Sequence, residues 1–427
     1  MLFLDELRWR GLVHQTTDDL GLSDWLEQRP RTLYAGFDPT ADSLHVGSLL
    51  PLMLLRRFQQ AGHKPIAVVG GATGMIGDPS GKSQERNLLS AERIAENVEG
   101  LRSQMKRFLD FGSGTHSAEL VNNFDWTGTW SYLEFLRDVG KNFPVNVMLA
   151  KDSVKSRLGH DDTGLSYTEF SYMLLQAFDF VHLYDSFHCE LQVGGSDQWG
   201  NITAGIDLGR RMRGAQLYGL TCPLLTRSDG AKMGKTEQGA VWLSAEKTSP
   251  YHFYQYWINV EDADAGHCLR MLTELTPEEI EVLDQSREAD PARRQSQKRL
   301  AEALTDLVHG PEGLVKAQRA TEIFFGAEIE GFRDAELDEV FPDVPSKALP
   351  RARLAGDGGL MLVDAFAEAG LAKSKGEARR IVQQGGAYVN NRRLEDPHAR
   401  LTEEHLASET VMVLRSGKRK YGLLRFE

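Results

Sequence analysis

Short, wholly apolar runs alternate along this chain with longer segments whose apolar positions recur at helical spacing. Residues 32–38 (TLYAGFD) read as a buried strand, a polar loop follows over 39–43, and residues 46–60 have the apolar density and length of a helix. Residues 65–70 (PIAVVG) are a second strand, apolar on both faces as strands of parallel sheets are. Strand, loop, helix and strand in that order make a βαβ unit, which predicts a parallel sheet with right-handed crossovers. A helix over 168–180 and a strand over 187–193 continue the pattern. The expectation for residues 1–226 is therefore an open, Rossmann-like α/β domain with ligands at the carboxyl ends of its strands.

Strand signals vanish after residue 249. Pro250 and Pro277 stand near helix starts, and helical patterns run to about residue 326, which predicts an all-α domain. Residues 327–358, rich in Asp, Glu, Gly and Pro, read as a linker. The last segment, 359–427, predicts a small α+β module. Its helices are expected over 360–368 and 374–384, the second opened by the Ser374/Glu377 capping box. A strand over 387–389 turns at Asn390-Asn391, and a hairpin of 411–414 with 421–426 turns at Ser416-Gly417.

Length and composition narrow the class. A chain of 427 residues exceeds one ordinary core, so several domains are expected. Asp5, Glu6, Arg8 and Arg10 interrupt the apolar start, which suits an amphipathic helix and not a signal peptide. No uncharged stretch approaches a membrane span, and Cys189, Cys222 and Cys268 have neither disulfide-framework nor metal-knuckle spacing. A cytoplasmic protein without a tightly held metal is expected.

The net charge of −12 argues against a surface coated for non-specific DNA binding. From Gly356 onward, however, twelve Lys and Arg stand against ten Asp and Glu, so this tail is +2 and the remainder −14. Lys375 and Arg379 lie one turn apart on a helix; Arg392 and Arg393 follow a turn, and Lys418, Arg419 and Lys420 sit in the hairpin. These residues read equally as a solvated charged face and as a platform for an RNA backbone.

Four constellations carry candidate chemistry. His45-Val46-Gly47-Ser48 opens a helix, where free N–H groups favour an anion, and Thr40 and Ser48 add hydroxyl donors. Lys232-Met233-Gly234-Lys235-Thr236 places two ammonium groups around a glycine, after a turn at Ser228-Asp229-Gly230. Tyr172, Gln176 and Asp179 recur at i, i+4 and i+7 and form a polar stripe on an apolar helix, which faces either solvent or a ligand. Gly195, Asp197 and Gln198 follow a strand, where a carboxylate can accept both hydroxyls of a ribose, or can simply cap a helix. The glycine-rich stretch 70–83 is no P-loop: the glycine required five residues before Gly81 is Ile76. It leaves Lys82 and Arg86 as phosphate contacts or as ordinary turn residues.

With these residues assembled, the chain resembles the bacterial tyrosyl-tRNA synthetases over essentially its whole length. These are class I aminoacyl-tRNA synthetases, whose two signatures are called HIGH and KMSKS. His45–Ser48 and Lys232–Thr236 occupy their places, and Tyr34-Ala35-Gly36-Phe37-Asp38-Pro39-Thr40 with Gly194-Gly195-Ser196-Asp197-Gln198-Trp199-Gly200-Asn201 are more specific still. The tail resembles a small RNA-binding module first described in a ribosomal protein.

The resemblance implies that tyrosine's carboxylate attacks the α-phosphorus of ATP, and that the tyrosyl group then passes to the 3′ end of tRNA(Tyr). It implies roles for named residues. His45, Thr40, Lys232 and Lys235 contact the departing phosphates, with Lys82 and Arg86 assisting. Asp78, Tyr172 and Gln176 hold the α-amino group. Tyr34 and Asp179 recognise the phenol, and Asp38 and Gln198 lie in the amino-acid pocket or beside the reacting carboxylate. Asp38, His45, Gly47, Ser48, Gly195, Asp197 and Lys235 bind ATP, Asp197 at the ribose. Mg²⁺ is expected with ATP, no protein-ligated metal is, and a homodimer is expected through residues of about 125–161.

The chain departs from the family pattern at Ser48, which stands for the second histidine of HIGH, and at Gly234 and Thr236, which stand for serines of KMSKS. Ala35 stands where some members have cysteine. The alternatives are a tryptophanyl-tRNA synthetase and a synthetase-like RNA-binding protein without catalysis.

Overall fold

The computed structural model describes residues 2–80, 89–151, 154–155, 165–236, 239–342, 344–355, 358–418 and 420–427. Lys82, Arg86 and Arg419 lie outside them. The chain divides into two compact units. One comprises Met1–Thr248 with Tyr256–Gly310, the other Ser249–Gln255 with Pro311–Glu427.

The first unit is built on a six-stranded sheet. Its strands are β1 (Gln15–Thr16), β2 (Thr32–Phe37), β3 (Lys64–Val69), β4 (Glu119–Asn122), β5 (Cys189–Gly195) and β6 (Tyr218–Cys222), in the order β1-β6-β5-β2-β3-β4. All pairs are parallel except β1 with β6. β3 is buried from Pro65 to Val69, as its apolar sequence requires, and Pro65 precedes the β4 pairing, which begins at Ile66. The chain runs from β2 to β3 on one side, while β5 flanks β2 on the other, so the strand order reverses at β2. That reversal opens a crevice at the carboxyl ends of β2 and β5.

Two helices aim side chains at this crevice. His45 caps the start of the first: its Nδ1 accepts the Gly47 N–H at 2.9 Å, a single 3-10 turn (Val46–Ser48) follows, and the α-helix Leu49–Gln60 buries Leu49, Leu50, Leu52–Leu55 and Phe58. The second, Tyr167–Phe187, begins at Ser166, whose hydroxyl accepts the Glu169 N–H. It runs seven residues beyond the expected end at 180 and stops at His188, in the left-handed conformation with φ 53°. The helices Asp262–Leu272 and Pro277–Ala289 belong to the same unit as the sheet.

The second unit has its own cores. β9 (Ser346–Leu349), β11 (Ala387–Val389), β12 (Arg392–Arg393), β14 (Val411–Ser416) and β15 (Lys420–Phe426) form one sheet, while β10 (Leu360–Met361) pairs with β13 (Arg400–Leu401). (The two short strands Lys235–Thr236 and Gly239–Ala240 of the first unit are β7 and β8.) Asn390 and Asn391 both have positive φ, as a two-residue hairpin turn of this hand requires. Segment 327–358, read as a linker, contains the helix Asp334–Val340 and β9, which pairs parallel with β15. Its Leu337, Val340 and Phe341 pack with Ile323, Val411, Val413 and Tyr421 in one apolar cluster.

Candidate active site

A cavity of about 430 Å³ opens at the carboxyl ends of β2, β3, β5 and β6. Tyr34, Asp38, Thr40, His45, Gly47, Ser48, Asp78, Tyr172, Gln176, Asp179, Gly195, Asp197, Gln198, Lys232 and Lys235 all line it. Every expected small-substrate residue within the described part of the chain is therefore on one surface.

At the deep end, the Asp179 carboxylate is buried and accepts hydrogen bonds from Asn123 Nδ2 at 2.9 Å and Trp126 Nε1 at 2.8 Å. Burial pushes its carboxyl up to about 7 against the opposing effect of those two donors. Tyr34 is 1 % exposed, and its hydroxyl has no hydrogen-bond partner among the described residues. Burial, then the neighbouring Asp179, pushes that phenol well above its ordinary range, so it stays a neutral donor. A buried hydroxyl and a two-donor carboxylate on one cavity wall are complementary to a ligand that both accepts and donates, as a phenol does.

Midway, Asp38 accepts from Thr73 Oγ1 at 2.8 Å and from the Tyr172 hydroxyl at 3.0 Å. Gly70 permits this, since a β-carbon there would lie 2.2 Å from Asp38 Oδ1 and 2.3 Å from Thr73 Oγ1. Asp78 accepts from Gln198 Nε2 at 2.7 Å and from the Ser80 N–H at 2.9 Å, while Gln198 Oε1 accepts from Gln176 Nε2 at 3.2 Å and Asn201 Nδ2 at 3.2 Å. Two carboxylates held this way supply negative charge beside the middle of the cavity.

The mouth joins the two signatures. The Val46 N–H donates to the Val241 carbonyl at 2.9 Å, and the Leu243 N–H to the Leu44 carbonyl at 2.8 Å. The His45 and Trp242 rings meet edge to face at 6.2 Å. His45, Lys232 and Lys235 are exposed, as groups that meet a soluble anion must be. Gly47 is required by the imidazole itself, because a β-carbon there would lie 2.7 Å from His45 Cε1.

Sequence reasoning missed Asn123, Trp126, Thr73 and Gln192, and gave Asn201 no role beyond its place in the motif 194–201. Gln192 had a signal: a polar residue inside a buried strand, 2 % exposed and lining the cavity. Asn123 and Trp126 had none, since they lie in an irregular segment around one short helix.

The basic residues of the tail are differently placed. Lys375 pairs with Asp364 at 2.8 Å, Arg392 with Glu328 at 3.0 Å and with Glu330, and Arg393 with Glu395 at 3.3 Å. Lys420 Nζ donates to the Leu371 carbonyl at 3.4 Å. Arg379 and Lys418 are exposed.

A model of the family described as tRNA synthetases class I (W and Y) matches residues 26–326, which makes the chain a class I aminoacyl-tRNA synthetase. A second, the tyrosine–tRNA ligase SYY-like C-terminal domain, matches residues 336–424. The tyrosine–tRNA ligase of Rhodopirellula baltica is 60 % identical over 424 residues, 99 % of this chain and 96 % of that protein. That of Roseiflexus castenholzii is 54 % identical over 422 residues, 99 % of each. The crystal structure of a C-terminally truncated Aspergillus nidulans mitochondrial tyrosyl-tRNA synthetase matches with a TM-score of 0.68 and 31 % identity, covering 75 % of this chain and 93 % of that one.

The chain belongs to the tyrosyl-tRNA synthetases and is a tyrosine–tRNA ligase. Among the described residues, no helix is long and apolar enough to cross a membrane.

Proposed function

We propose that the cavity binds tyrosine and MgATP in line, and that each lining group has a distinct task in adenylation. Tyrosine's phenol lies between Tyr34 and Asp179, its α-amino group beside Asp78, Tyr172 and Gln176, and its carboxylate near Asp38 and Gln198. Asp197 and Gly195 take the ribose. Thr40, His45, Gly47, Ser48, Lys232 and Lys235 surround the phosphates, with Lys82 and Arg86 assisting. The arrangement that supports this reading is the polarity gradient of one cavity, from unpartnered phenol and buried carboxylate to exposed ammonium groups.

The tyrosine carboxylate attacks the α-phosphorus and pyrophosphate leaves; the tRNA ribose hydroxyl then attacks the adenylate carbonyl and AMP leaves. Mg²⁺ enters with ATP as part of the substrate. This chain's own contribution is to align the attacking oxygen and to meet the charge that develops on the leaving phosphates. With Ser48 neutral, the positive charge comes mainly from Lys232 and Lys235, and His45 serves by hydrogen bonding. Lys235→Ala is expected to lower tyrosine-dependent ATP–pyrophosphate exchange at least about a hundredfold, as loss of one such contact does elsewhere, while tyrosine affinity holds. Equal loss of both would refute the assignment.

The helices between residues 227 and 326 and the tail bind tRNA in this reading, and the protein acts in the cytoplasm as a homodimer. Phe124, Tyr132, Leu133, Val145, Val147, Leu149 and Tyr167 are large apolar residues exposed within one stretch, with Leu133 75 % exposed, which supports an interface there. Sedimentation at micromolar concentration should give twice the chain mass; a monomer would exclude the dimer.

A further inference from the structure

The signature loop is held by groups outside both signatures. Its Gly234 N–H donates to the Tyr256 hydroxyl at 2.7 Å, and its Gly234 carbonyl accepts from the Val241 N–H at 2.8 Å. The Ser228 N–H donates to Asp264 Oδ1 at 2.7 Å. Met233 is buried, its sulfur 3.7 Å from Cys268 Sγ. Gly234 itself has φ 79°, and a β-carbon there would lie 2.8 Å from Val46 Cβ. The loop is thus seated against the His45 segment on one side, with Tyr256, Asp264 and Cys268 holding it on the other.

Among these holds, the Tyr256 hydroxyl grips the peptide between Met233 and Gly234, in the stretch that separates the two lysines. The hold is half-buried, where an N–H without an acceptor is costly. The conformation it favours is the one in which Lys232, Met233, Gly234 and Lys235 line the same cavity as His45 and Asp197. We propose that Tyr256 is a positioning residue for adenylation: its hydroxyl fixes the Gly234 peptide and thereby holds Lys232 and Lys235 over the nucleotide phosphates. This rests on the reading of those lysines as phosphate contacts.

Tyr256→Phe keeps the ring and its edge-to-face packing on Trp257 at 5.0 Å, and removes the hydroxyl alone. Losing one neutral hydrogen bond should lower the docked-to-undocked ratio of the loop by about three- to tenfold. In the whole chain, kcat for tyrosine-dependent ATP–pyrophosphate exchange should fall, by up to that factor. The KM for tyrosine and the melting temperature should stay put, and tryptic cleavage within the loop should quicken. In a Lys235→Ala background the same substitution should cost no more than about twofold, because one of the groups it positions is gone.

An equal fold-loss in both backgrounds, or an unchanged kcat, would overturn the proposal, as would a rise in tyrosine KM matching the fall in kcat. If Lys235→Ala alone leaves exchange intact, the reading of the lysines fails, and the proposal fails with it.

Discussion

At the scale of the residue, the site is governed by what burial does to Asp179. Two donors, Asn123 and Trp126, stabilise its carboxylate, yet removal from water dominates and the carboxyl titrates near 7. In the proposed tyrosine pose, only the ionised form would accept the phenol O–H without bringing a competing proton. Below about pH 7 the free protein therefore carries the wrong form, and kcat/KM for tyrosine should fall as pH drops from 8 to 6, by up to roughly tenfold. Asp179→Asn should lower kcat/KM for tyrosine and flatten that part of the profile. A flat profile in the wild-type protein would mean that the carboxyl is ionised throughout and that the two donors outweigh burial. In the proposed pose the same pair would reject phenylalanine: without a ligand hydroxyl, the buried Tyr34 hydroxyl stays unpartnered and Asp179 keeps only its bonds to Asn123 and Trp126.

At the scale of elements, legibility followed how local the cause was. β3 was readable because a strand buried on both faces is apolar nearly throughout, β2 and β5 because most of their residues are buried, and the polar stripe of Tyr172, Gln176 and Asp179 because three helix positions share one face. β4 was not: all four of its residues are half-buried, so no alternation marks it. The end of the helix Tyr167–Phe187 was missed because His188 takes the left-handed cap that glycine usually announces. β9 hid in a polar stretch because three of its four residues are exposed, and its partner β15 lies more than seventy positions away.

The glycines of the two signatures show how far motif reading goes. It places Gly47 and Gly234 among polar and charged groups, but does not say what lies against each: His45's own ring in one case, Val46 in the other. Neither signature contains Tyr256, which enters from the far side of the loop. Lys82 and Arg86 fall outside the described residues.

At the scale of the whole molecule, the question is which charges of the second unit an RNA would feel. Net charge counts alone treat Lys375, Arg379, Arg392, Arg393, Lys418, Arg419 and Lys420 alike. Their surroundings divide them. Arg392 faces two carboxylates, Glu328 and Glu330, and Lys375 and Arg393 each face one, so a phosphate must displace a partner already in place. Arg379 and Lys418 are exposed and make no ion pair among the described residues, so a phosphate meets their full charge. Each contact to a phosphate releases counterions and adds about one to the slope of log affinity against log salt, slightly less for single strands. Replacing Arg379 and Lys418 together by alanine should raise the KM for tRNA in aminoacylation, reduce the salt slope by about one to two, and leave ATP–pyrophosphate exchange unchanged. Arg392→Ala should do less, because its charge is already offset by Glu328 and Glu330, and the carboxylates it frees repel the backbone only weakly through salt water. The substitutions are preferable to deleting residues 356–427, which would strip Val411, Val413, Tyr421 and Leu423 from the cluster that covers Ile323, Phe332 and Leu337. If Arg392→Ala weakened tRNA binding as much as the exposed pair, the RNA would have to open those ion pairs, and the binding face would centre on β12 and not on the helix Lys375–Gln383.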